Sequence, residues 1–298
     1  MSKQSEAKPV VVWGLLIFLA LIWGSSFILI KKGLVVFSAG QVGALRIFTA
    51  AIVLIPMALP RLKTLSRRQW KWLFISGMIG SFAPAFLFAI AQTRLASGIT
   101  GVLNALTPIF ALLVGVFFFA GHLQKKDVVG ILLGFSGTII LIIAGSGGAL
   151  GNFNLYAFFV IAATLCYGFN LNIIKHRFSV LTPRLITSIS LFLIAPIAAI
   201  YLFGFTDFIN IMQVEEAAYI SLLYISILGV IGTAFALIIF NKLVQMTSPV
   251  FTSFVTYLIP IIAIIWGLID GEVLIWWHYV GIIFIITGVA FSNSKKKS

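Results

Sequence analysis

Ten long apolar segments, joined by short connections that carry charge or Gly, Pro and Asn, make up most of this sequence. A helix of about 20 apolar residues is long enough to span the hydrocarbon core of a bilayer. The chain is 61% hydrophobic and only 9% charged, whereas a soluble domain is about 25% charged. Predicted segments 1 to 10 occupy residues 11–31, 40–59, 71–91, 97–119, 128–146, 153–174, 184–205, 217–240, 249–268 and 275–292. The sequence therefore predicts an all-α integral membrane protein with ten transmembrane helices.

Basic residues are concentrated on one side of this predicted topology. With a cytoplasmic N-terminus, 16 Lys and Arg lie on the cytoplasmic side and three on the other, namely Lys31, Lys32 and Arg94. Cytoplasmic loops of membrane proteins are enriched in Lys and Arg. We therefore expect both termini in the cytoplasm. Segment 1 could be a signal peptide, but it ends in two lysines without a small-residue cleavage site, so we expect it to be retained.

The net charge of +13 comes from short basic clusters between apolar segments. That distribution is typical of membrane topology rather than of a surface for nucleic acid, so we expect no nucleic-acid partner. The single cysteine, Cys166, lies within an apolar segment and excludes an intrachain disulfide.

The second half of the chain repeats the first. Residues 152 positions apart match in the pairs Gly77 and Gly229, Gly80 and Gly232, Ser81 and Thr233, Thr100 and Thr252, Pro108 and Pro260, and Gly115 and Gly267. In segments 1 and 6 the spacing is 144, with the pairs Gly24 and Gly168, and Lys31 and Lys175. Residues paired in this way are called repeat mates below. A run of matches in one register indicates two homologous halves.

Each half contains five predicted segments, so the second half must enter the membrane in the opposite orientation. Inverted repeats of this kind are typical of secondary transporters, whose binding sites lie near the midplane between the halves. We predict a cytoplasmic tail at 1–10, a first five-helix repeat at 11–146, a linker at 147–152, a second repeat at 153–292 and a basic cytoplasmic tail at 293–298.

Segments 4 and 9 each contain a proline in the same register. Pro108 and Pro260 lack a backbone N–H, which frees the carbonyls of Asn104 and Thr256. Backbone groups freed within a membrane must face protein or a wet cavity. We predict a polar stripe on both segments, with the prolines as helix breaks or gating points; simple kinks with Ser/Thr packing are the alternative. The predicted binding residues here are Asn104, Thr107, Thr256 and Tyr257.

Segments 1 and 6 each place an aromatic residue beside a glycine at mid-membrane depth. Trp23 and Tyr167 are too deep for an interfacial belt, so they line a cavity or pack in the core. We predict apolar walls from Trp23, Phe27 and Tyr167, and hydrogen bonds from Ser26 and Asn170. The cavity is expected between segments 1, 3, 4, 6, 8 and 9.

Arg46 is the one charged residue well inside a predicted segment. A charge within the membrane is a candidate for function. Arg46 either satisfies carbonyls or an adjacent helix, with enough length to reach the interface, or attracts a carboxylate or phosphate of the substrate.

The predicted segments contain no Asp or Glu, and their one His, His278, lies near the end of segment 10. Carriers coupled to protons usually titrate such a group within the pathway, which favours facilitated or exchange transport here. No P-loop, HExxH or GxSxG motif is present, so we predict neither an enzyme nor a cofactor or metal.

These motifs resemble the drug/metabolite transporter superfamily, in particular its EamA family. The resemblance rests on the sequence of residues 23–27 (WGSSF), Arg46, the prolines of segments 4 and 9, and Gly271-Glu272 after segment 9. The first half departs at that last turn, with Gly121-His122. The resemblance implies a ten-helix carrier of small metabolites in the inner membrane, often an exporter of amino acids or similar compounds.

The sequence therefore favours a secondary transporter, an exporter or facilitator of small metabolites such as amino acids or other amphipathic or aromatic compounds. It would work by alternating access, with membrane lipids and a small solute as partners, and a monomer suffices to enclose the site. A lipid flippase or flippase subunit and a non-transporting scaffold are the alternatives.

Overall fold

A computed structural model describes residues 9–121, 124–144, 154–178, 181–246 and 255–293, and every regular element within them is helical. The helices are α1 (Pro9–Gly33), α2 (Ala39–Ala58), α3 (Arg67–Gly77), α4 (Ala83–Gln92), α5 (Ser97–Asn104), α6 (Thr107–Phe118), α7 (Lys125–Ala144), α8 (Ala157–Arg177), α9 (Pro183–Gly204), α10 (Phe208–Val214), α11 (Ala218–Gly229), α12 (Ala236–Met246), α13 (Val255–Ile269) and α14 (Trp276–Asn293). The predicted linker, most of the N-terminal tail and residues 294–298 lie outside the described residues.

Several of these helices join end to end into longer rods. A 3-10 turn (Leu59–Thr64) extends α2, and π-helical turns join α3 to α4 (Met78–Phe82) and α11 to α12 (Val230–Phe235). Among the described residues, seven rods are long and apolar enough to cross a membrane, and Leu258–Ile269 and Trp276–Gly288 are shorter apolar helices. The protein is therefore an all-helical, multi-pass membrane protein, as the apolar segments predict.

Local sequence signals set where several helices begin. Ser38 and Ser66 each accept a hydrogen bond from the backbone N–H of a glutamine three residues later, whose side chain returns a bond to the serine N–H. This reciprocal arrangement satisfies two backbone N–H groups that the first turn leaves free. At α9 the cap is one-sided: the Thr182 hydroxyl accepts from the Leu185 backbone N–H at 3.4 Å, and Pro183 is the first helical residue. The cap of α5 is different, because Ala96 precedes it and has no polar side chain.

The two halves use the same irregular geometry at the same place. The π-turn Met78–Phe82 and the π-turn Val230–Phe235 begin at repeat mates, 152 residues apart. The first helix of each half also packs against the other half. Helix α1 packs on α13, and its repeat counterpart α8 packs on α6. The pairs α2–α9 and α7–α14 join counterparts directly. Sequence repeats are therefore matched by repeated structure and by exchanged contacts.

Segments 4 and 9 differ in how they accommodate proline. In segment 4 the helix stops at Asn104, before Pro108, and restarts at Thr107 with the proline in the first turn. The freed Asn104 carbonyl accepts a hydrogen bond from the Thr107 hydroxyl at 2.8 Å. In segment 9, Pro260 lies inside α13, which is continuous from Val255. One predicted break is a true interruption, and the other proline lies within a helix.

Candidate functional site

A cavity of about 190 Å³ lies between the two halves of the bundle. This is the volume of about six water molecules in the liquid, which suits a small metabolite. Its described walls come from segments 1 to 4 and 6 to 9, whereas α7 and α14 contribute none of the lining and pack on each other. Segments 2 and 7 were missing from the predicted wall, and the structure adds both.

Most of the lining consists of repeat mates that both reach the cavity. In segments 2 and 7 the helix caps Ser38 and Thr182 give the same spacing of 144 residues as in segments 1 and 6. The pairs are Trp23 and Tyr167, Ser26 and Asn170, Phe27 and Leu171, Ile30 and Ile174, Arg46 and Ser190, Gly80 and Gly232, Ser81 and Thr233, Phe88 and Phe240, Asn104 and Thr256, and Thr107 and Ile259. The centre of the cavity is therefore made from equivalent positions of the two halves.

Nine of the ten predicted binding residues line this one cavity. They are Trp23, Ser26, Phe27, Arg46, Asn104, Thr107, Tyr167, Asn170 and Thr256. The side chain of Tyr257 is outside the described structure. Pro108 and Pro260 are not among the lining residues. Thr100, one turn before Asn104, is fully buried, is not among the lining residues and donates to the Ala96 carbonyl at 2.9 Å.

Arg46 points into the cavity and does not extend to the bundle surface. Its Nε donates to the Thr233 hydroxyl at 2.9 Å, and its guanidinium faces the Tyr167 side chain. Thr233 belongs to the π-turn Val230–Phe235, which turns this hydroxyl inward. Arg46 therefore joins segment 2 to segment 8 and also supplies the positive charge of the lining.

The π-turn glycines let the two halves approach closely at the cavity. A Cβ at Gly80 would collide with the Asn170 amide, and a Cβ at Gly232 would meet the Ser26 hydroxyl at 3.3 Å. The Trp23 indole Nε1 donates to the Gly232 carbonyl at 3.0 Å. π-Turns are frequent at functional sites because they redirect backbone groups that a regular helix would use internally.

The sequence analysis missed several polar lining residues, of which Ser190 carries the clearest signal. Its residue exposure is 6%, and its hydroxyl has no hydrogen-bond partner among the described residues. Ser76 donates to Asn170 Oδ1 at 2.6 Å, and Asn241 Nδ2 donates to Thr187 at 3.0 Å. Ser190 is the repeat mate of Arg46, so an alignment of segments 2 and 7 could have found it.

One end of the bundle, called the Asp270 end, is held by ion pairs. Lys31 lies 2.8 Å from Asp270 and 2.9 Å from Glu272, and Lys32 lies 2.5 Å from Asp270. Glu272 also accepts from the backbone N–H groups of Ser97 at 2.7 Å and Gly98 at 2.9 Å. It therefore supplies the cap that Ala96 cannot, and it joins α1, α5 and the turn after α13.

The carboxylates at the Asp270 end are held in their charged form. Burial alone raises the pKa of Glu272, but hydrogen bonds from Lys31, Ser97 and Gly98 outweigh it, so the pKa of Glu272 is lowered from its ordinary value. Hydrogen bonds from Lys31 and Lys32 lower the pKa of Asp270. Favourable bonds to the ionised form explain both directions.

The opposite end, called the Arg177 end, has different contacts. The Arg177 guanidinium lies 4.8 Å from the Trp72 ring centre, and His176 stacks on Phe119 with ring centres 4.9 Å apart. All three ion pairs found in the described part of the chain lie at the Asp270 end. The described residues at the Arg177 end are therefore joined by aromatic, cation–π and aliphatic contacts, without an ion pair.

The cavity also extends towards the Arg177 end beyond its symmetric centre. Lining residues without a lining mate are Ser76, Ile186, Thr187, Leu191, Leu237, Asn241 and Val255. Their mates towards the Asp270 end are Leu228, Val42, Gly43, Ile47, Ala85, Ala89 and Leu103, and all of these are buried in packed core. The cavity therefore departs from the symmetry of the two halves on the side of the Arg177 end.

Similarity to known proteins also divides the chain into two halves. The model of the EamA-like transporter family matches residues 11–143 and again residues 154–294. An uncharacterized transporter of Bacillus subtilis (strain 168), YvbV, is 24% identical over 292 residues, which cover 95% of this chain and 92% of that protein. An uncharacterized transporter of Archaeoglobus fulgidus is 25% identical over 129 residues, covering 43% of this chain and 46% of that protein.

A solved crystal structure shares the fold, with a TM-score of 0.60 and 15% sequence identity over 95% of this chain and 96% of that one. The family model accounts for nearly all of both halves of the sequence. The chain therefore belongs to the EamA-like transporter family.

Proposed function

We propose that this protein is a secondary transporter that moves a small metabolite through the central cavity by alternating access. The observation that carries the proposal is the cavity itself, whose core is lined by repeat mates from both halves. A site shared by two homologous halves can be exposed to either side by rocking one half against the other. The aromatic and polar lining suits an amphipathic solute.

The proposal includes two inverted five-helix repeats. Segment 4 runs from Ser97 to Phe118, so its two ends mark opposite faces of the bundle. Lys31 lies next to Ser97 at one end, through Glu272. His176, which follows the repeat mate of Lys31, stacks on Phe119 at the other end. Mates on opposite faces support an inverted arrangement.

Orientation follows from the basic residues. Positive-inside bias assigns the Arg177 end, with its many Lys and Arg, to the cytoplasm of the cell, and the Asp270 end to the outside. The cavity extends towards the Arg177 end and is sealed by packed core and ion pairs at the other. This conformation thus has the character of an inward-facing state, with both termini cytoplasmic.

The test compares metabolites inside cells and in spent medium for cells that express the chain or the variant Asn104→Leu/Tyr167→Ala at equal membrane levels. Selective depletion inside and enrichment outside, lost in the variant, supports export. Enrichment inside supports uptake. Solutes found in this way are then tested for counterflow in liposomes that contain the purified protein.

The matched control is Phe117→Leu, because Phe117 is 73% exposed on the outside of the bundle and should leave transport unchanged. Equal transport by the control and by the double variant would contradict the cavity as the pathway. Transport of labelled lipid that soluble metabolites do not inhibit would instead favour the flippase alternative.

A further inference from the structure

The charge of the cavity is unbalanced. Arg46 is the only ionisable cation among the described lining residues, and no Asp or Glu lines the cavity with it. Its Nε donates to the Thr233 hydroxyl, and the nearby Tyr167 also carries a hydroxyl and no acid. An ionised group in an apolar site is costly unless a counter-charge is present. The lining therefore favours a solute that brings one negative charge.

A second polar position lies on the opposite half of the lining. The Ser190 hydroxyl is more than nine-tenths buried, lines the cavity and has no partner in the described structure. Close to it, Asn170 uses Oδ1 to accept from Ser76, and its Nδ2 makes no hydrogen bond to the described residues. Buried polar groups are normally satisfied, and each exception requires an explanation. Ser190 is such an exception, and a bound solute that accepts a hydrogen bond from its hydroxyl could also accept one from Asn170 Nδ2.

The distance between these two positions sets the size of the solute. Helices α2 and α9 run antiparallel, since Gly40 contacts Tyr201 at one end and Ala58 joins the cluster of Ile186 and Ile189 at the other. Arg46 is therefore level with a part of α9 about seven residues after Ser190. At 1.5 Å per residue, the two positions differ in depth by about 10 Å.

We infer that the transported solute is a small organic carboxylate with a second hydrogen-bond acceptor, whose carboxylate binds Arg46 and whose far end binds Ser190 and Asn170. This inference rests on the proposed transport function and names its substrate class. A single guanidinium matches a monoanion, whereas a phosphate dianion would leave an uncompensated charge. A zwitterionic amino acid would bring an ammonium group for which the described lining has no carboxylate.

The test uses one molecular skeleton with exchangeable charge: 4-acetylbenzoate, 4-acetylbenzamide, 4-acetylbenzylamine and 4-acetylphenyl phosphate. Binding to the purified full-length protein in lipid nanodiscs is measured by isothermal titration calorimetry. We expect the carboxylate to bind about tenfold or more tightly than the amide and the amine, as one charge-assisted hydrogen bond supplies. Equal binding of all four probes, stronger binding of the phosphate or amine, or no binding of the carboxylate would overturn the inference.

Variants separate the two positions. Arg46→Gln should remove the preference for carboxylate over amide, and Arg46→Lys should retain part of it because the charge remains. Ser190→Ala should leave the charge preference unchanged. It should instead abolish the advantage of 4-acetylbenzoate over 4-isopropenylbenzoate, in which a CH₂ replaces the carbonyl oxygen. If Ser190→Ala still binds 4-acetylbenzoate more tightly than 4-isopropenylbenzoate, Ser190 does not bind the carbonyl of the solute.

Failure of this inference and failure of the proposed function give different results. If the transport proposal is wrong, the carboxylate binds and depends on Arg46, but no labelled solute crosses liposomes that contain the protein. If only the substrate class is wrong, counterflow occurs for neutral or cationic solutes, and Arg46→Gln does not reduce it. Thermal unfolding of each variant shows whether it is folded, and Ser190→Ala should fold normally because it removes an unpaired buried hydroxyl.

Discussion

The two ends of the bundle are built from repeat mates but are closed by different chemistry. At the Asp270 end, Lys31 and Lys32 are bound by Asp270 and Glu272. At the Arg177 end, the mate of Lys32 is His176, which stacks on Phe119 instead of binding an acid. The cavity follows the same difference, since it extends only towards the Arg177 end.

This difference originates in one short turn. After segment 9 the chain reads Asp270-Gly271-Glu272, and Gly271 has φ +82°, a conformation that glycine adopts without strain. After segment 4 the corresponding residues are Phe119-Ala120-Gly121, because Ala120 also has a positive φ and the Gly121 N–H donates to the Gly115 carbonyl as the Glu272 N–H does to that of Gly267. The repeat that builds a symmetric cavity therefore diverges where the two ends must behave differently. Under the proposed alternating access, two equal ends would give no preferred resting state, and we expect the charged turn to supply a preference.

The largest expected effect comes from Glu272→Gln. Gln keeps the shape but removes the charge that binds Lys31 and the N–H groups of Ser97 and Gly98. Hydrogen bonds to charged groups contribute about 1.5–3 kcal/mol each. A loss of about 3 kcal/mol raises the ratio of open to closed forms of the Asp270 end roughly hundredfold. A cysteine at Val42, in a Cys166→Ala background, should then react about hundredfold faster with a maleimide.

The control for that experiment is Glu215→Gln, because Glu215 is an exposed acid without an ion pair in the described structure. It should leave the labelling rate at Val42 unchanged. Similar acceleration by both variants, or none by Glu272→Gln, would contradict the role of the ion pairs in closing the Asp270 end.

Acid pH should weaken the same end. The pKa values of Asp270 and Glu272 are lowered, so their contribution is complete above the ordinary carboxyl value of about 4 and is lost as pH falls through the lowered values. Spin labels at Val35 and Val273, both exposed at this end, measure the separation from about pH 7 to about pH 3. We expect widening only below about pH 4.

The matched control is Asp270→Asn/Glu272→Gln, in which the separation should no longer change with pH. Widening that already occurs near pH 6, or persists in the double variant, would assign the pH response to other groups.

A smaller effect compares the two ends of the unmodified fold directly. Val42 and Ile186 are repeat mates, each one turn inside its helix, and both are buried, with 1% and 5% exposure, but only Ile186 is among the lining residues of the cavity. In the Cys166→Ala background, Ile186→Cys should react with the maleimide about tenfold faster than Val42→Cys, which corresponds to about 1.4 kcal/mol. Equal rates would mean that the asymmetry of the cavity does not persist in solution.

The smallest expected effect is at the Arg177 end. Arg177→Gln removes the cation–π contact with Trp72, which at an exposed site contributes about 0.5–1 kcal/mol. Labelling of Ile186→Cys should rise no more than about fivefold. A hundredfold rise, equal to that expected for Glu272→Gln at the other end, would show that this end is locked as firmly and would remove the contrast between the two ends.

The sequence by itself determined the class of protein and most of the residues around its cavity. Apolar segments of membrane-spanning length are local patterns, and a helix needs no distant partner for its backbone hydrogen bonds. The repeat then indicated that Trp23 and Tyr167, or Asn104 and Thr256, occupy equivalent positions. Because a site between repeats uses equivalent positions twice, this was enough to gather nine lining residues before any contact was known.

Only the tertiary structure decided which residues complete the site and close it. The partners of Glu272 are about 175 to 241 residues away in the chain, and no local pattern encodes such a pairing. Ser190 lacks a partner only because of how α9 is placed against α3 and α8. At the break before Pro108, the Thr107 hydroxyl donates a hydrogen bond to the Asn104 carbonyl. Which end of a two-fold cavity is closed depends on packing across the whole bundle, which sequence periodicity does not specify.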